Sequence, residues 1–216
     1  MTAIIRAIGA TFSDTLPKAR AILAKDNFTR AAGTVLGSTE IGGKTWAAVH
    51  NAEAPALTGT ALRVKAIEAG KSGCLIDLGI PAAEVEAVWA ANGTTVQTGL
   101  AGVMVRANSA GTSGFFFGPA YIGAGSSRWL LARLDGGVLT WLLNGPASGA
   151  ADRPVLGDRF SLRCNGSTIE GRVNGMTLLT LTDAAYATAT RAGLIAIGSA
   201  GGNTQSDFDT FKALPA

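Results

Sequence analysis

The stretch that decides the fold is Arg159 to Thr182, RFSLRCNGSTIEGRVNGMTLLTLT. Phe160, Leu162 and Cys164 alternate with polar neighbours, and the same alternation recurs over residues 168–173. Apolar residues at every second position are typical of a strand that buries one face. The stretch therefore predicts three consecutive β-strands, and the phase of Cys164 predicts a buried free thiol.

Asn-Gly pairs separate these three strands, at Asn165-Gly166 and at Asn174-Gly175. Asn-Gly supplies the two positive φ angles of a type I′ turn, whose twist matches that of the flanking strands. Asp135-Gly136-Gly137 has the same role further upstream. The region 128–198 is therefore predicted to form successive antiparallel hairpins.

The rest of the chain continues the β pattern. Further strands are predicted at 45–50, 62–66, 72–79, 101–107, 114–118, 192–198 and 206–213. Short strands separated by turns about every 8–12 residues indicate a sandwich or a barrel. A chain of 216 residues suits one sizeable core, so a single all-β domain is expected.

Residues 81–92 fit two structures. Pro81 near the start and Asn92-Gly93 at the end would suit a helix. Val85, Ala87 and Trp89 also alternate with glutamates, which suits a strand. A strand is favoured because the neighbouring segments on both sides are strands.

The N-terminal region, residues 1–25, is predicted to be an arm outside a sandwich of residues 26–216. Ile4, Ile5 and Ile8 would provide an apolar docking strip, and Ser13 to Lys25 could form a short helix. An extra edge strand is the alternative for this region.

Composition narrows the class of protein. Hydrophobic residues make up 47% of the chain and charged residues 15%, which excludes an intrinsically disordered chain. The formal charge of +3 is spread along the sequence, so no nucleic-acid partner is expected. No apolar run approaches the ~20 residues of a membrane span, and no signal peptide is recognisable, so neither membrane insertion nor secretion is expected.

Several ordered motifs between about residue 26 and residue 213 resemble those of concanavalin A-like, laminin-G-like domains. They are Asp26-Asn27-Phe28-Thr29-Arg30-Ala31, Gly42-Gly43-Lys44-Thr45-Trp46, Gly102 to Arg106, Gly157 to Leu162 and Asp207-Phe208-Asp209-Thr210-Phe211. The resemblance implies a two-sheet antiparallel jelly roll whose first and last strands are adjacent. It also implies that Phe28 packs with Phe208 or Phe211.

The resemblance leads to an expected function, and the scarcity of catalytic residues makes that expectation non-enzymatic. Domains of this type occur in virion proteins of tailed bacteriophages, in lectins and in glycan-active enzymes. The expectation is a structural or adhesion component of a virion, on tail or capsid, whose partners are other virion proteins and host-surface carbohydrate. A free-standing lectin is the alternative and a hydrolase is the least favoured; a homo-oligomer is left open.

Catalytic residues are scarce in the sequence. His50 is the only histidine, and the Glu-x-Asp-x-x-Glu run of hydrolases with this fold is absent. Glycoside hydrolysis needs two carboxylates that flank the scissile bond. Glu84 and Glu86 share one strand face, which is interpreted as a solvated surface.

Ligand and metal candidates follow from residue type. Tyr121, Trp129 and Asn108 are the candidates for carbohydrate contact, although core packing is the favoured interpretation of Trp129 and Trp141. Asp26, Asp207 and Asp209 are the candidates for a calcium site, because oxygen ligands at strand ends suit that ion. Calcium is the only cofactor considered, and the expectation is that none is bound.

Overall fold

The computed structural model describes residues 20–50, 53–68, 70–92, 99–121, 127–145, 154–198 and 204–216, and this part of the chain forms two packed antiparallel sheets. The eight-stranded sheet has the order β13-β12-β11-β6-β15-β4-β3, with β1 also paired to β15. Its strands are β1 (Ala24–Asp26), β3 (Ala56–Leu57), β4 (Leu62–Ala66), β6 (Ala83–Asn92), β11 (Arg159–Asn165), β12 (Thr168–Val173), β13 (Met176–Thr182) and β15 (Thr204–Pro215).

The seven-stranded sheet has the order β10-β9-β8-β7-β14-β5-β2. Its strands are β2 (Ala47–Val49), β5 (Lys71–Asp77), β7 (Gly99–Ala107), β8 (Gly114–Tyr121), β9 (Ser127–Asp135), β10 (Val138–Asn144) and β14 (Arg191–Gly198). The predicted all-β sandwich of two antiparallel sheets is thereby confirmed. Among the residues described, no helix is long and apolar enough to span a bilayer.

The two open secondary-structure questions have clear answers. The segment that fitted both helix and strand is β6, and Glu84 of this strand pairs with Arg163 of β11. The predicted helix from Ser13 to Lys25 is wrong over its described part, because Leu23 donates to the carbonyl of Ala213 and β1 begins at Ala24. The predicted arm boundary after residue 25 therefore falls inside a strand of the sandwich.

Two of the three predicted type I′ turns have the positive φ angles that this turn type requires. Both central residues have positive φ at Asn174-Gly175 (49° and 84°) and at Gly136-Gly137 (60° and 90°). In the β11–β12 hairpin, Asn165 pairs with Thr168, and only Gly166 of the connecting residues has positive φ, at 57°. That pattern is typical of a type II′ turn, so the predicted turn type is wrong there while the hairpin is confirmed.

Aromatic rings join the two sheets through the middle of the sandwich. Trp129 of β9 stacks on Phe117 of β8, with ring centroids 5.5 Å apart, and its centroid is 5.4 Å from that of Phe160 in β11. Phe160 in turn meets Phe208 of β15 edge to face at 6.0 Å. Large aromatic side chains contribute strongly to core energetics, and the Trp129–Phe160 contact joins one sheet to the other.

The outer faces of the two sheets differ in chemistry. On the outer face of the seven-stranded sheet, side chains such as Met104, Phe116, Leu130 and Ile195 form a second, buried apolar cluster. On the outer face of the eight-stranded sheet, β6, β11 and β12 carry charged side chains that form ion pairs. Hydrogen-bonding groups are therefore concentrated on the eight-stranded sheet.

A buried carboxylate ties the first strand to the last. Asp26 is fully buried; it accepts two hydrogen bonds from Arg30, at 2.8 and 2.7 Å, and one from the indole N–H of Trp46, at 2.7 Å. The Trp46 ring lies between Phe28, at 5.8 Å, and Phe211 of β15, at 4.9 Å. The predicted packing of Phe28 with the last strand is thus mediated by Trp46.

Replacing this carboxylate tests its structural role. Asp26→Asn removes the negative charge that the two terminal guanidinium nitrogens of Arg30 contact. Breaking a buried ion pair lowers the free energy of unfolding by about 3 kcal/mol. We expect urea unfolding, followed by tryptophan fluorescence, to show a loss of about that size. Glu40→Gln is the control, because the Glu40 carboxylate contacts exposed Asn27. A D26N protein as stable as the control would contradict the role.

Candidate functional site

A groove of about 260 Å³ crosses the outer face of the eight-stranded sheet. It is called the basic groove below and is lined by Ile22, Lys25, Glu86, Arg159, Thr210, Phe211 and Lys212. Its residues come from β1, β6, β11 and β15 and from the segment that leads into β1. It therefore lies on the face where hydrogen-bonding groups are concentrated.

Strand register puts the polar side chains of the basic groove in rows. Lys25 pairs with Lys212, and Lys212 pairs with Glu86 on its other side. Thr210 and Arg159 both pair with Val88 and form the neighbouring row. Residues one step along the strands, such as Phe211, are fully buried, so the alternation of a strand turns these two rows outward.

The basic groove offers hydrogen-bond donors and acceptors together. Arg159 donates to the carboxylate of Glu86 at 3.2 Å across adjacent strands. The two lysines add ammonium donors, and the hydroxyl of Thr210 both donates and accepts. Ile22, 40% exposed, supplies an apolar wall. This combination suits a ligand with many hydroxyl groups and an apolar ring face.

Glu84 lies on the same face but is locked in a network. Its carboxylate accepts hydrogen bonds from Arg20 at 2.5 Å and from the Ser161 hydroxyl at 2.8 Å, and Arg172 lies 3.6 Å away. Burial alone would raise its pKa, but the bonds from Arg20 and Ser161 and the nearby positive charges outweigh burial and lower the pKa. The expectation of a solvated strand face is therefore wrong for Glu84, which is only 6% exposed.

The three aspartates predicted as calcium ligands are placed as follows. Both carboxylate oxygens of Asp26 are bonded within its buried cluster, and both oxygens of Asp207 accept from Arg63 at 2.8 Å. Asp209 lies at an irregularity of β15, and one of its oxygens is buried without a hydrogen-bond partner. Within the described ranges, no group of three acidic, histidine or cysteine side chains could hold a metal ion. The arrangement gives the calcium hypothesis no support.

The predicted carbohydrate contacts are not brought together. Trp129 is 2% exposed in the aromatic core, so it cannot present a face to a ligand, and core packing was the correct interpretation. Asn108 caps its own loop, because its side-chain oxygen accepts from the backbone N–H groups of Thr112 and Ser113. The backbone of Tyr121 ends β8, while the side chain of Tyr121 lies outside what the structure describes.

Trp141 is the opposite case. Core packing was predicted for it, but its side chain is 49% exposed on β10, the edge strand of the seven-stranded sheet. It pairs with Ala132 beside the outer apolar cluster, and no sequence signal marks β10 as an edge strand. Trp141 is therefore a candidate ligand contact outside the basic groove, with an exposed aromatic ring.

A polar cluster closes one end of the sandwich. Arg133 donates to Asp135 at 2.9 Å and to Asp183 at 2.6 Å, and the Tyr186 hydroxyl donates to Asp135. The bonds from Tyr186 and Arg133 lower the pKa of Asp135, and the bond to Asp135 raises the pKa of Tyr186. Each charged group has a protein partner, so the cluster fixes the loop that contains Tyr186.

The remaining predictions concern the cysteines and the N-terminal isoleucines. Cys74 and Cys164 are free and buried, which confirms the expectation for Cys164, and burial raises the pKa of its thiol to about 12. Ile4, Ile5 and Ile8, the predicted docking strip, lie outside the described residues.

Comparison with known proteins finds structures with a similar fold but identifies no family for this chain. No family model and no curated protein matches the sequence. Among solved structures, the GH43 BlXynB protein from Bacillus licheniformis aligns with a TM-score of 0.63 and 12% identity. That alignment covers 89% of this chain and 39% of BlXynB.

Two further structures are matched over nearly their whole length. LamAcat from Zobellia galactanivorans aligns with a TM-score of 0.54 and 11% identity, over 89% of this chain and 97% of that one. The other is domain 4 of AbnA, a GH43 extracellular arabinanase from Geobacillus stearothermophilus, in complex with arabinotriose. It aligns with a TM-score of 0.55 and 12% identity, over 91% of this chain and 93% of that one. These likenesses confirm a concanavalin A-like jelly-roll sandwich.

The network around Glu84 predicts a dependence of stability on pH. The folded-state pKa lies below the ordinary value of 4.5, so the unfolded chain binds more protons near that pH. The stability from Glu84 is present above pH 4.5 and is lost as the pH falls through the folded-state pKa. We expect Glu84→Gln to unfold at lower urea concentration than wild type at pH 7, with the gap narrowing by pH 3.

Glu170→Gln is the matched control, since Glu170 lies on the same face and pairs with Arg163 at 3.3 Å. Its stability should follow that of wild type over the whole pH range. A gap between E84Q and wild type that stays constant on acidification would show that Glu84 is not the titrating group.

Proposed function

We propose that this chain is a non-catalytic carbohydrate-binding sandwich that takes a short stretch of saccharide in the basic groove. The observation that carries the proposal is the set of donors and acceptors that Arg159, Glu86, Lys25, Lys212 and Thr210 present together on paired strands. Sugar hydroxyl groups need both kinds of partner.

The known glycan contacts of similar folds support the proposal. Domain 4 of AbnA is seen with arabinotriose, and the carbohydrate binding module CBM66 from Bacillus subtilis aligns over 75% of this chain with a TM-score of 0.50. At identities of 12% these proteins share the fold only, so the ligand of this chain has to follow from its own residues.

The state of the glutamates supports binding without hydrolysis. A glycosidase needs one carboxyl group with a raised pKa as proton donor and a second carboxylate across the scissile bond. The pKa of Glu84 is lowered, and Glu86 is paired with Arg159. Glu84 therefore does not meet the requirement for a proton donor, and the Glu86 carboxylate is held in an ion pair.

The finer proposal concerns where the domain acts. The resemblance found in the sequence favours a virion adhesion component of a tailed phage that attaches to host-surface glycans, and a free-standing lectin is the alternative. The proposal of a virion role is supported by that resemblance alone. Mass spectrometry of purified particles separates the two, since a virion component is recovered with the particle and a free lectin is not.

A printed array of plant, algal and bacterial polysaccharides tests the binding function. We expect wild type to bind at least one glycan, and expect Arg159→Gln and Thr210→Val to weaken that binding by about tenfold each, as loss of a hydrogen bond to a ligand does. Arg128→Gln, on the seven-stranded sheet, is the matched control and should bind as wild type does.

Other outcomes of the array decide against parts of the proposal. Binding that is lost in Trp141→Ala but kept in R159Q would move the site to the edge strand β10. Release of new reducing ends from any bound polysaccharide would overturn the non-catalytic part. A blank array would overturn carbohydrate binding and leave a structural role.

A further inference from the structure

The two lysines of the basic groove form a like-charge pair across adjacent strands. Lys25 of β1 and Lys212 of β15 are directly opposite in the antiparallel register. Directly opposite residues have Cβ atoms about 4.5–5.5 Å apart, and like charges at such positions are destabilising. Their buried neighbours Ala24, Asp26 and Phe211 turn both lysine side chains to the outer face.

Among the residues that the structure describes, no carboxylate lies within ion-pair distance of Lys25 or Lys212. Glu86, the cross-strand neighbour of Lys212, forms its ion pair with Arg159 instead. The two lysines therefore occupy directly opposite strand positions, and Glu86 is the one carboxylate among the residues that line the groove.

Elsewhere on this sheet face the glutamates lie in ion pairs. Glu84 contacts Arg20 and Arg172, and Glu170 pairs with Arg163. The basic groove, by contrast, is lined by three cations and one carboxylate, an excess of two positive charges. A positive excess confined to one groove attracts anionic ligands and raises their local concentration.

We infer that the saccharide bound in the basic groove carries an anionic group, a carboxylate or a sulfate, held between Lys25 and Lys212. This inference rests on the proposed function and specifies the ligand class of the same groove. A lysine ammonium is a point charge without the fork geometry of arginine, so the pair serves either anion. The Ile22 wall and the hydroxyl of Thr210 contact the sugar ring that carries the group.

The size of the groove limits the ligand. Its volume of about 260 Å³ is slightly below the range of about 300 to 1,000 Å³ that is typical of ligand sites. A groove of this size takes a short stretch of saccharide, so one anionic sugar unit at the lysine pair accounts for most of the specificity.

Calorimetric titration with matched saccharides tests the inference. The probes are oligogalacturonate, its methyl ester, a sulfated galactan oligosaccharide and the neutral galactan of the same length. We expect binding of the uronate, the sulfated oligosaccharide or both, at least tenfold tighter than that of the neutral partner, and weakened by added salt. Which of the two binds tighter distinguishes a carboxylate from a sulfate ligand.

The double variant K25Q/K212Q is the decisive protein. It should bind the anionic probe about tenfold more weakly than wild type, and its affinity for the neutral probe should fall by a smaller factor. Its thermal midpoint should equal or exceed that of wild type, because the like-charge pair is gone. Lys71→Gln on the seven-stranded sheet is the control for charge and should keep the wild-type affinity.

The outcomes separate this inference from the proposed function. Equal affinity for charged and neutral saccharides, unchanged in K25Q/K212Q, would overturn the anionic class and leave carbohydrate binding in place. No binding of any saccharide would overturn both. Equally tight binding of single-stranded DNA or polyphosphate would show a general polyanion surface and overturn the saccharide inference.

Discussion

The buried carboxylate of Asp26 is the interaction on which the rest of the arrangement depends. By bonding Arg30 and Trp46, it holds the start of the sandwich against Phe211 in the last strand. Because Asp26 points inward, the preceding Lys25 must point outward, directly opposite Lys212. The same pairing of β1 with β15 that buries Asp26 therefore also places the two lysines in the basic groove.

The proposed saccharide site lies on the eight-stranded sheet because the outer faces of the two sheets differ in chemistry. The seven-stranded sheet buries apolar side chains on both faces and offers few hydrogen-bonding groups there. The eight-stranded sheet carries its charges outward in strand-paired rows. Since saccharides bind through hydroxyl groups, the charged face is the one whose chemistry matches, and the exposed Trp141 on β10 is the competing position.

The strands and hairpins could be predicted from the sequence because each depends on the residues of one short segment. Alternation around Phe160 and the Asn-Gly pairs predicted strands and hairpins, and the resemblance to concanavalin A-like domains implied that the first and last strands are adjacent. The basic groove was missed because Lys25 and Lys212 meet only through the register of β1 on β15, which no local pattern contains. Asp26 was interpreted as a metal ligand, although Arg30, four residues later, was the available signal for an ion pair.

Backbone amide chemical shifts, followed during titration with oligogalacturonate and with the sulfated galactan, test the central claim most directly. The account predicts that shifts cluster on β1, β6 and β15 around Lys25, Glu86 and Lys212, with those of the seven-stranded sheet unchanged. Shifts confined to β9 and β10 around Trp141, or to the ends of the sandwich, would contradict it.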